Sequence, residues 1–418
     1  MSTVTQEAPL TTGPDGAADA TGIGAAAAPY WLDRPERPEP LPCHTGDAVC
    51  DLAVVGGGYT GLWTALLAKR RHPGLDVFLI EQDTCGGAAG GRNGGFCSPS
   101  LTHGLPNGLA RRPDEIAAFQ RLGADNLASF QRDLEEYGID CGFTMAGKVS
   151  VAATPWQAQG LRAYAALARR QGEPAELLDQ DRLRAYVDSP AWTTRLWQPH
   201  YVLLDPARLA WGRRAACLAA GVRIAEQTRV TGMDTRADRN RVRLSTPYGT
   251  VAARRTAPAT NAFPPPLRRL SLATVPVYDY ALTTQPLTDA QLASIGWTGE
   301  HGITDAGNQF HYLRKTGDNR VLWGGYDAIY HYGGTYDEPL TKRPETFAKP
   351  AGQFRRTFPQ VTRTSLRMIR RAPVPFPPEP VRWLGIQATR WSMAREDETG
   401  RRNLWLRSLD RLGLGFDS

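Results

Sequence analysis

The sequence predicts an α/β fold in which a Rossmann-like parallel sheet is joined to a second domain built on an antiparallel sheet (α+β). Three observations support this prediction. A strand, a helix and a strand surround a glycine-rich turn, a second glycine-rich segment follows soon after, and short apolar strands separated by turns fill the second half. With 418 residues, the chain is long enough to bury a sizeable core and to form two domains.

The parallel sheet is predicted from the first part of the chain. Residues 49–55 form a short apolar run with β-branched side chains, which indicates a buried strand. Residues 62–70 have apolar positions at helical spacing, and Pro73-Gly74 ends this helix. Residues 76–80 predict a second strand. A strand, a helix and a strand within about 30 residues form the βαβ unit of a parallel sheet.

The turn Gly56-Gly57-Gly58-Tyr59-Thr60-Gly61 lies between the first strand and the helix, where the dinucleotide fingerprint Gly-x-Gly-x-x-Gly is expected. Gly56 permits the tight turn, Gly58 lets the backbone approach a pyrophosphate, and Gly61 allows the helix to pack closely on the strand. The free amides at the start of the helix then face the phosphates. Glu81 ends the second strand, where its carboxylate is placed to accept hydrogen bonds from ribose hydroxyls. The alternative is a structural glycine turn with a surface Glu.

A second glycine cluster occupies residues 86–95. Such a run is not expected to form a regular element, because each Gly costs about 0.5 to 1 kcal/mol there relative to Ala. It is expected where the backbone must lie against a flat, extended ligand, with Arg92 offsetting phosphate charge. The alternative is a flexible loop with an exposed Arg.

These motifs, together with Gly91-Arg92-Asn93-Gly94-Gly95, resemble the D-amino-acid-oxidase-like superfamily of FAD-dependent oxidoreductases. The segment Pro29-Tyr30-Trp31 and the motif Ala259-Thr260-Asn261-Ala262 are similar to its gamma-glutamylputrescine oxidoreductase branch. The resemblance covers about residues 29–358. It implies an FAD-binding domain and an antiparallel-sheet substrate domain. It also implies hydride transfer to flavin from the carbon that bears an amine, hydrolysis of the imine, and reoxidation by oxygen or another acceptor.

The resemblance assigns residues to the cofactor at matching positions. The turn would hold the pyrophosphate, Glu81 the ribose, the second cluster the flavin, and the backbone of Val230 the adenine. The implied cofactor-binding residues are Gly56, Gly58, Tyr59, Thr60, Gly61, Glu81, Gly91, Arg92, Asn93, Gly94, Gly95 and Val230.

Aromatic residues of the second domain are candidates for the substrate pocket, because aromatic faces attract an alkylammonium group. Tyr280, Tyr312 and Trp323 are the candidate aromatics, and Arg314 is a candidate for binding a substrate carboxylate. The alternative is that these aromatic residues belong to the core. The sequence assigns no catalytic residue and no metal site.

Two features depart from the family pattern. A Trp-Gly segment and a Gly-Tyr-x-Gly-x-Gly turn are expected after Phe358, and the sequence contains neither. Pro258 falls in a predicted central strand, where it would remove a ladder hydrogen bond. The FAD-binding domain is therefore predicted to be incomplete. The alternative function is a catalytically impaired flavin-fold protein, and a third is a nicotinamide-dependent dehydrogenase.

The predicted organisation is a disordered tail (1–28), a discontinuous FAD-binding domain (29–145 and 200–270), a substrate domain (146–199 and 271–358) and a basic C-terminal extension (359–418). The net charge is +7, and residues 361–418 hold eleven Arg against six Asp or Glu. The acids are interspersed and no nucleic-acid motif accompanies them, so a nucleic-acid partner is not expected. No apolar run approaches the ~18 to 20 residues of a membrane span, and no secretory signal is visible. A cytoplasmic location is expected.

Overall fold

The computed structural model describes residues 29–178, 186–238, 240–266, 275–307, 310–325, 329, 331, 340, 344–361, 366–369 and 374–376. The predicted tail (1–28) and most of the predicted extension, from residue 377 onward, lie outside this set. No helix among the described residues combines the length and the apolar character needed to cross a membrane.

The regular elements of the described chain are as follows. The strands are β1 Gly46–Val55, β2 Val77–Ile80, β3 Phe96–Cys97, β4 Lys148–Ala152, β5 Glu176–Leu177, β6 Thr194–Gln198, β7 Val202–Leu203, β8 Arg223–Ala225, β9 Gly232–Asp238, β10 Arg241–Thr246, β11 Gly249–Pro258, β12 Val275–Val277, β13 Ala281–Thr284, β14 Gly302–Asp305, β15 His311–Lys315, β16 Val321–Gly325, β17 Leu366–Ile369 and β18 Val374–Phe376. The α-helices are α1 Tyr59–Arg71, α2 Ala89–Arg92, α3 Leu105–Arg111, α4 Ile116–Glu136, α5 Pro155–Arg170, α6 Pro206–Ala219, α7 Asp289–Ser294 and α8 Pro344–Thr357. Short 3₁₀ helices occupy Tyr30–Leu32, Pro113–Glu115 and Pro359–Val361.

The first sheet has six strands in the order β8-β2-β1-β11-β10-β9, and it contains the predicted βαβ unit. Strand β1 pairs in parallel with β2 and with β11, while β9, β10 and β11 form an antiparallel meander. Helices α1 and α6 cover one face. The core there contains Leu52, Val54, Leu62, Leu66, Val77, Leu79 and Cys217. The predicted α/β fold class is thus confirmed.

The outer side of β11 is divided into two halves. Strand β10 pairs with Gly249 to Ala253, whereas residues 254–258 pair, among the described strands, with β1 alone. The amide of Ala259 donates to the Val55 carbonyl oxygen at 2.8 Å. Because backbone amides alternate in direction along a strand, the nitrogen of Pro258 faces away from β1. Pro258 therefore removes no hydrogen bond from the β1–β11 ladder, contrary to the difficulty expected from the sequence.

The second sheet has eight strands in the order β17-β13-β16-β15-β14-β4-β6-β5, and all neighbours are antiparallel except β14 and β4. Side chains of β15 and β16 alternate between its two faces. Leu313 and Trp323 pack with Phe354 of α8 in the domain core. Tyr312 and Leu322 face the other way, toward α6 and the segment that precedes β1.

Two elements show how far local sequence signals reach. The apolar run of residues 275–284 is divided between β12 and β13, and Tyr278 bridges to Ile329 in between. Helix α6 was not predicted, because it is buried on several sides and shows no clean apolar stripe. Its start does carry a signal: Asp205 caps it and Pro206 follows at the first helical position.

Candidate functional site

The glycine turn lies at the junction of β1 and α1, as the fingerprint predicts, and two of its glycines are required by the chain itself. Gly56 has φ +112°, and an added Cβ would lie 2.5 Å from the carbonyl oxygen of Ala259. A Cβ on Gly61 would lie 1.8 Å from the carbonyl oxygen of Gly56. Both neighbours are backbone carbonyl oxygens, of the residues that directly follow β11 and β1. These two glycines therefore allow the strand and the helix to approach each other.

Gly58 is different, because nothing in the described chain requires a glycine there. Its φ is −76°, and an added Cβ would have no atom within 4 Å. Gly58 is also the N-cap of α1, and no side chain of the described residues caps the helix start. The amides of Tyr59 and Thr60 thus begin the helix beside open space. An open approach beside uncapped helix amides fits the diphosphate of a dinucleotide.

The side chain of Tyr59 does not face that space. It is buried, its hydroxyl donates to the Pro206 carbonyl oxygen at 2.7 Å, and the guanidinium of Arg213 lies 5.5 Å from its ring centroid. Burial raises the pKa of Tyr59. Of this residue, only the backbone is available to a cofactor.

Glu81 is bound to the glycine turn. Its Oε2 accepts from the Gly57 amide at 2.6 Å, and its Oε1 accepts from the Asp83 amide at 2.9 Å. Burial raises the pKa of this carboxyl, although the two amide hydrogen bonds oppose the shift. Glu81 therefore fixes the turn, and its contact with a ribose stays a prediction. Val230 packs against the sheet cluster that contains Phe78, and its backbone contact with adenine also stays a prediction.

The second cluster contains a regular element, which corrects the sequence expectation. Residues Ala89–Arg92 form the short helix α2. Asn93 then closes it: its Nδ2 donates to the carbonyl oxygens of Ala89 at 3.1 Å and Gly90 at 2.7 Å, and its Oδ1 accepts from the Gly95 amide at 2.9 Å. The buried Asn93 side chain thus shapes the loop. The roles expected for Gly91 and Arg92 toward a cofactor remain predictions.

Gly94 and Gly95 bring this loop against the second sheet. A Cβ on Gly94 would lie 2.8 Å from Cδ2 of Tyr312. Gly95 has φ +72°, and its Cβ would lie 2.2 Å from the Leu204 carbonyl oxygen and 2.4 Å from Nη1 of Arg314. Two of the four candidate pocket residues therefore lie directly on the loop that the sequence assigned to the flavin.

Arg314 is already engaged by the protein. Its Nη1 donates to the Leu204 carbonyl oxygen at 2.6 Å, its Nε donates to the Lys315 carbonyl oxygen at 3.2 Å, and its guanidinium lies 5.3 Å from the Trp31 ring centroid. Burial lowers the pKa of Arg314 to about 10. The bond to Leu204 joins β15 of the second sheet to the segment that follows β7, at the edge of the candidate site.

The other two candidates lie elsewhere, which corrects the expected grouping. Trp323 is buried on the opposite face of the sheet, 5.7 Å from the ring of Phe354 and 4.7 Å from that of His311. The Tyr280 ring is buried, and its hydroxyl donates to the Leu340 carbonyl oxygen at 2.5 Å. Trp323 belongs to the core, because alternate residues of a strand point to opposite faces.

Sequence reasoning missed Asp279, which the structure joins to the site. Its Oδ2 accepts a hydrogen bond from the Tyr312 hydroxyl at 3.1 Å. The available signal was a single carboxylate inside the apolar and aromatic run of residues 275–282.

A second missed feature is the role of residues 29–34, here called the lead-in segment. The Tyr30 hydroxyl donates to Oδ1 of Asp318 in the second sheet's hairpin at 2.6 Å. Arg34 forms an ion pair with Asp205, which caps α6. Leu32 packs over Gly91, where an added Cβ would lie 2.9 Å from it. The lead-in segment therefore connects the hairpin of the second sheet to the start of α6, beside the second glycine cluster.

Comparison with known proteins agrees with this geometry. The family model described as DAO, FAD dependent oxidoreductase, matches residues 51–406. Gamma-glutamylputrescine oxidoreductase of Escherichia coli K12 is 28% identical over 305 residues, which cover 71% of this chain and 69% of that protein. Glycine oxidase of Geobacillus kaustophilus is 26% identical over 293 residues, covering 67% and 75%.

Solved structures share the fold. The crystal structure of the Geobacillus kaustophilus glycine oxidase has a TM-score of 0.62 at 20% identity, covering 81% of this chain and 86% of that one. L-proline dehydrogenase from P. horikoshii has a TM-score of 0.58 at 18% identity, covering 84% and 86%. The family match spans most of the chain and extends beyond residue 358. The chain therefore belongs to the DAO family of FAD-dependent oxidoreductases.

Proposed function

We propose that this protein uses FAD to oxidise a small-molecule amine or amino acid. The observation that carries the proposal is the open place at Gly58, beside the uncapped start of α1. The names of the relatives, an oxidoreductase of gamma-glutamylputrescine and a glycine oxidase, support the substrate class. When bound, FAD would accept a hydride from the substrate carbon that carries the nitrogen, and oxygen or another acceptor would reoxidise the reduced flavin.

The chain's own residues contribute binding and orientation. The turn Gly56–Gly61 would hold the diphosphate through backbone amides, and Glu81 fixes that turn. The loop at Gly94 and Gly95 lies against Tyr312 and Arg314, so the reacting centre would lie between the two sheets. Buried aromatic rings on this face, including Tyr312 and Trp31, would exclude water from it.

The test is the flavin content of purified protein. We expect a yellow protein, and we expect Gly58→Asp to remove the flavin, because a carboxylate would occupy the space of the diphosphate and repel its charge. The matched control is Gly74→Asp, since Gly74 lies in an exposed turn beyond the other end of α1 and its Cβ would also meet nothing within 4 Å. Undiminished flavin in Gly58→Asp, or equal loss in both variants, would contradict the proposal.

A second candidate function is that of a catalytically impaired flavin-fold protein. The observation that favours it is the outer edge of residues 254–258 in β11, which has no strand partner among the described residues. An incomplete sheet would weaken flavin retention. Reduction of the bound flavin by an added amine under anaerobic conditions separates the two candidates. A yellow protein whose flavin stays oxidised with every amine would favour the impaired form.

A further inference from the structure

We infer that Lys148 binds a carboxylate of the substrate, so that the site takes an amino acid in preference to a simple alkylamine. This inference rests on the proposed function and narrows its substrate class from amines and amino acids to amino acids. It depends on the position of Lys148 in the second sheet, on the surroundings of its ammonium group and on the engagement of Arg314.

Lys148 begins β4, on the face of the second sheet that meets the second glycine cluster. It pairs with Gly302 of β14, and Thr304, two residues further along β14, pairs with Tyr312. Directly paired residues of neighbouring strands share a face, and so do residues two apart on one strand. Lys148 therefore shares its face with Tyr312, whose ring lies against Gly94.

Gly302 brings this part of the sheet close to the second glycine cluster. An added Cβ on Gly302 would lie 2.2 Å from Cε1 of Phe96, which directly follows Gly95. The Phe96 ring therefore lies over β14, and its centroid is 6.2 Å from that of Tyr312. Neighbouring strands lie about 4.8 Å apart, so Lys148 is one strand away from the residue that this ring covers.

The ammonium group of Lys148 lies over an aromatic ring. Its Nζ is 4.1 Å from the ring centroid of Tyr201, whose carbonyl oxygen accepts from the Gly147 amide at 2.9 Å. Tyr201 directly precedes β7, and β7 pairs with β3, the strand that leaves the second glycine cluster. Both side chains are half-buried. The charge is therefore partly removed from water and still within reach of a ligand.

The surroundings of this cation differ from those of two other cations on the second sheet. Lys315, on the opposite face, pairs with Glu300 at 3.3 Å, and Arg320 pairs with Asp318 at 2.7 Å. Lys148 has a ring contact but no carboxylate partner in the part of the chain that the structure describes. A carboxylate that meets a partly desolvated ammonium group forms a charge-assisted hydrogen bond, which is stronger than a neutral one.

Arg314, the carboxylate partner expected from the sequence, is occupied by the protein. Its Nη1 and Nε donate to the carbonyl oxygens of Leu204 and Lys315, and its guanidinium lies over Trp31. A forked contact with a substrate carboxylate would have to break these bonds. Lys148 is a compact charge with three N–H donors, and it would keep its ring contact while it binds. The carboxylate is therefore expected at β4.

The test is a titration of the flavin-loaded protein with pentanoate, read from the change in the flavin spectrum. We expect Lys148→Met to raise the Kd about tenfold while flavin content stays unchanged, because methionine keeps most of the length and removes the charge. Lys148→Arg should restore most of the affinity. The matched control is Arg162→Met, which removes an exposed cation from α5 of the same domain and should leave the Kd unchanged.

Turnover of racemic norvaline and of butylamine, which differ only in the carboxylate, tests the substrate class. We expect kcat/KM for norvaline to exceed that for butylamine in the unaltered protein. Lys148→Met should shrink this preference through a higher KM for norvaline, because a contact that is equally strong in the ground state and the transition state contributes to KM.

The outcomes are separable. Equal Kd values for pentanoate in Lys148→Met and in the unaltered yellow protein would overturn the role of Lys148 and leave the proposed function standing. Loss of flavin from Lys148→Met would assign the cation to the cofactor and overturn that role as well. Faster turnover of butylamine than of norvaline would overturn the choice of amino acids. A purified protein that binds no flavin would overturn the proposed function, and this inference with it.

Discussion

Gly61 in the first turn of α1 and Gly324 in β16 of the second sheet pose the same steric problem with different neighbours. An added Cβ would lie 1.8 Å from the Gly56 carbonyl oxygen in one case and 1.9 Å from Oη of Tyr312 in the other. The first neighbour is backbone in a strand–helix junction, and the second is the end of a side chain. The glycine turn is therefore shaped by backbone against backbone, and this face of the second sheet by side chain against backbone.

This difference determines how each region tolerates change. Backbone atoms of a parallel sheet cannot move without breaking ladder hydrogen bonds, so an extra carbon at Gly61 has no relief. A tyrosine ring can rotate away at moderate cost, but it then loses its bond to Asp279. We therefore expect substitutions near the glycine turn to affect folding, and substitutions near Tyr312 to affect recognition.

The largest effect is expected for Gly61→Ala. The collision with Gly56 should reduce the free energy of unfolding by more than about 3 kcal/mol, at the upper end of overpacking effects. The control is Gly58→Ala, which meets no atom and should cost less than about 1 kcal/mol while it weakens flavin binding. Urea denaturation of the three proteins measures both values. Equal destabilisation by the two variants would break the comparison at its starting point.

Acid should destabilise the second sheet through His301, by a somewhat smaller free energy than Gly61→Ala costs. His301, which precedes β14, is buried among the rings of Tyr186, Trp197 and Trp297. Burial, aided by the charge of Lys315, lowers the pKa of His301 from its ordinary 6.5 to about 4. The unfolded chain therefore binds a proton that the folded chain refuses. The stability from this group is complete above pH 6.5 and is lost as the pH falls toward 4.

The loss amounts to about 3 kcal/mol at the acid end of this window. Unfolding free energies measured at several pH values on the unaltered protein and on His301→Gln test it, because glutamine does not titrate. The pH dependence between 6.5 and 4 should be shallower in His301→Gln. Parallel curves for the two proteins would show that the histidine does not set the acid limit of the second sheet.

The smallest effect on stability is expected for Gly324→Ala, at about 2 kcal/mol. The Tyr312 ring should rotate away from the new methyl group and release Asp279. The control is Tyr312→Phe, which removes the same hydrogen bond, keeps the ring and should lose less stability. Equal loss of stability in the two variants would mean that the lost hydrogen bond, and not the crowding at Gly324, accounts for the cost.

The same distinction explains what the sequence could and could not predict. The glycine turn could be placed because strand, turn and helix are contiguous, and because Gly56 and Gly61 meet local backbone. The faces of the second sheet could not be assigned, since both are buried: Tyr312 and Leu313 are neighbours with no polar alternation to distinguish them. Trp323 was therefore grouped with Tyr312, although it points the other way. Asp279 depends on a partner 33 residues away, which no local pattern encodes.

The lead-in segment has a consequence for the order of assembly. Tyr30 is synthesised before every described strand, yet its partner Asp318 follows 288 residues later. The segment cannot complete its bridge until the hairpin between β15 and β16 has left the ribosome. Contacts of such long separation form late in folding. The lead-in segment therefore waits for the hairpin before it can join the second sheet to the start of α6.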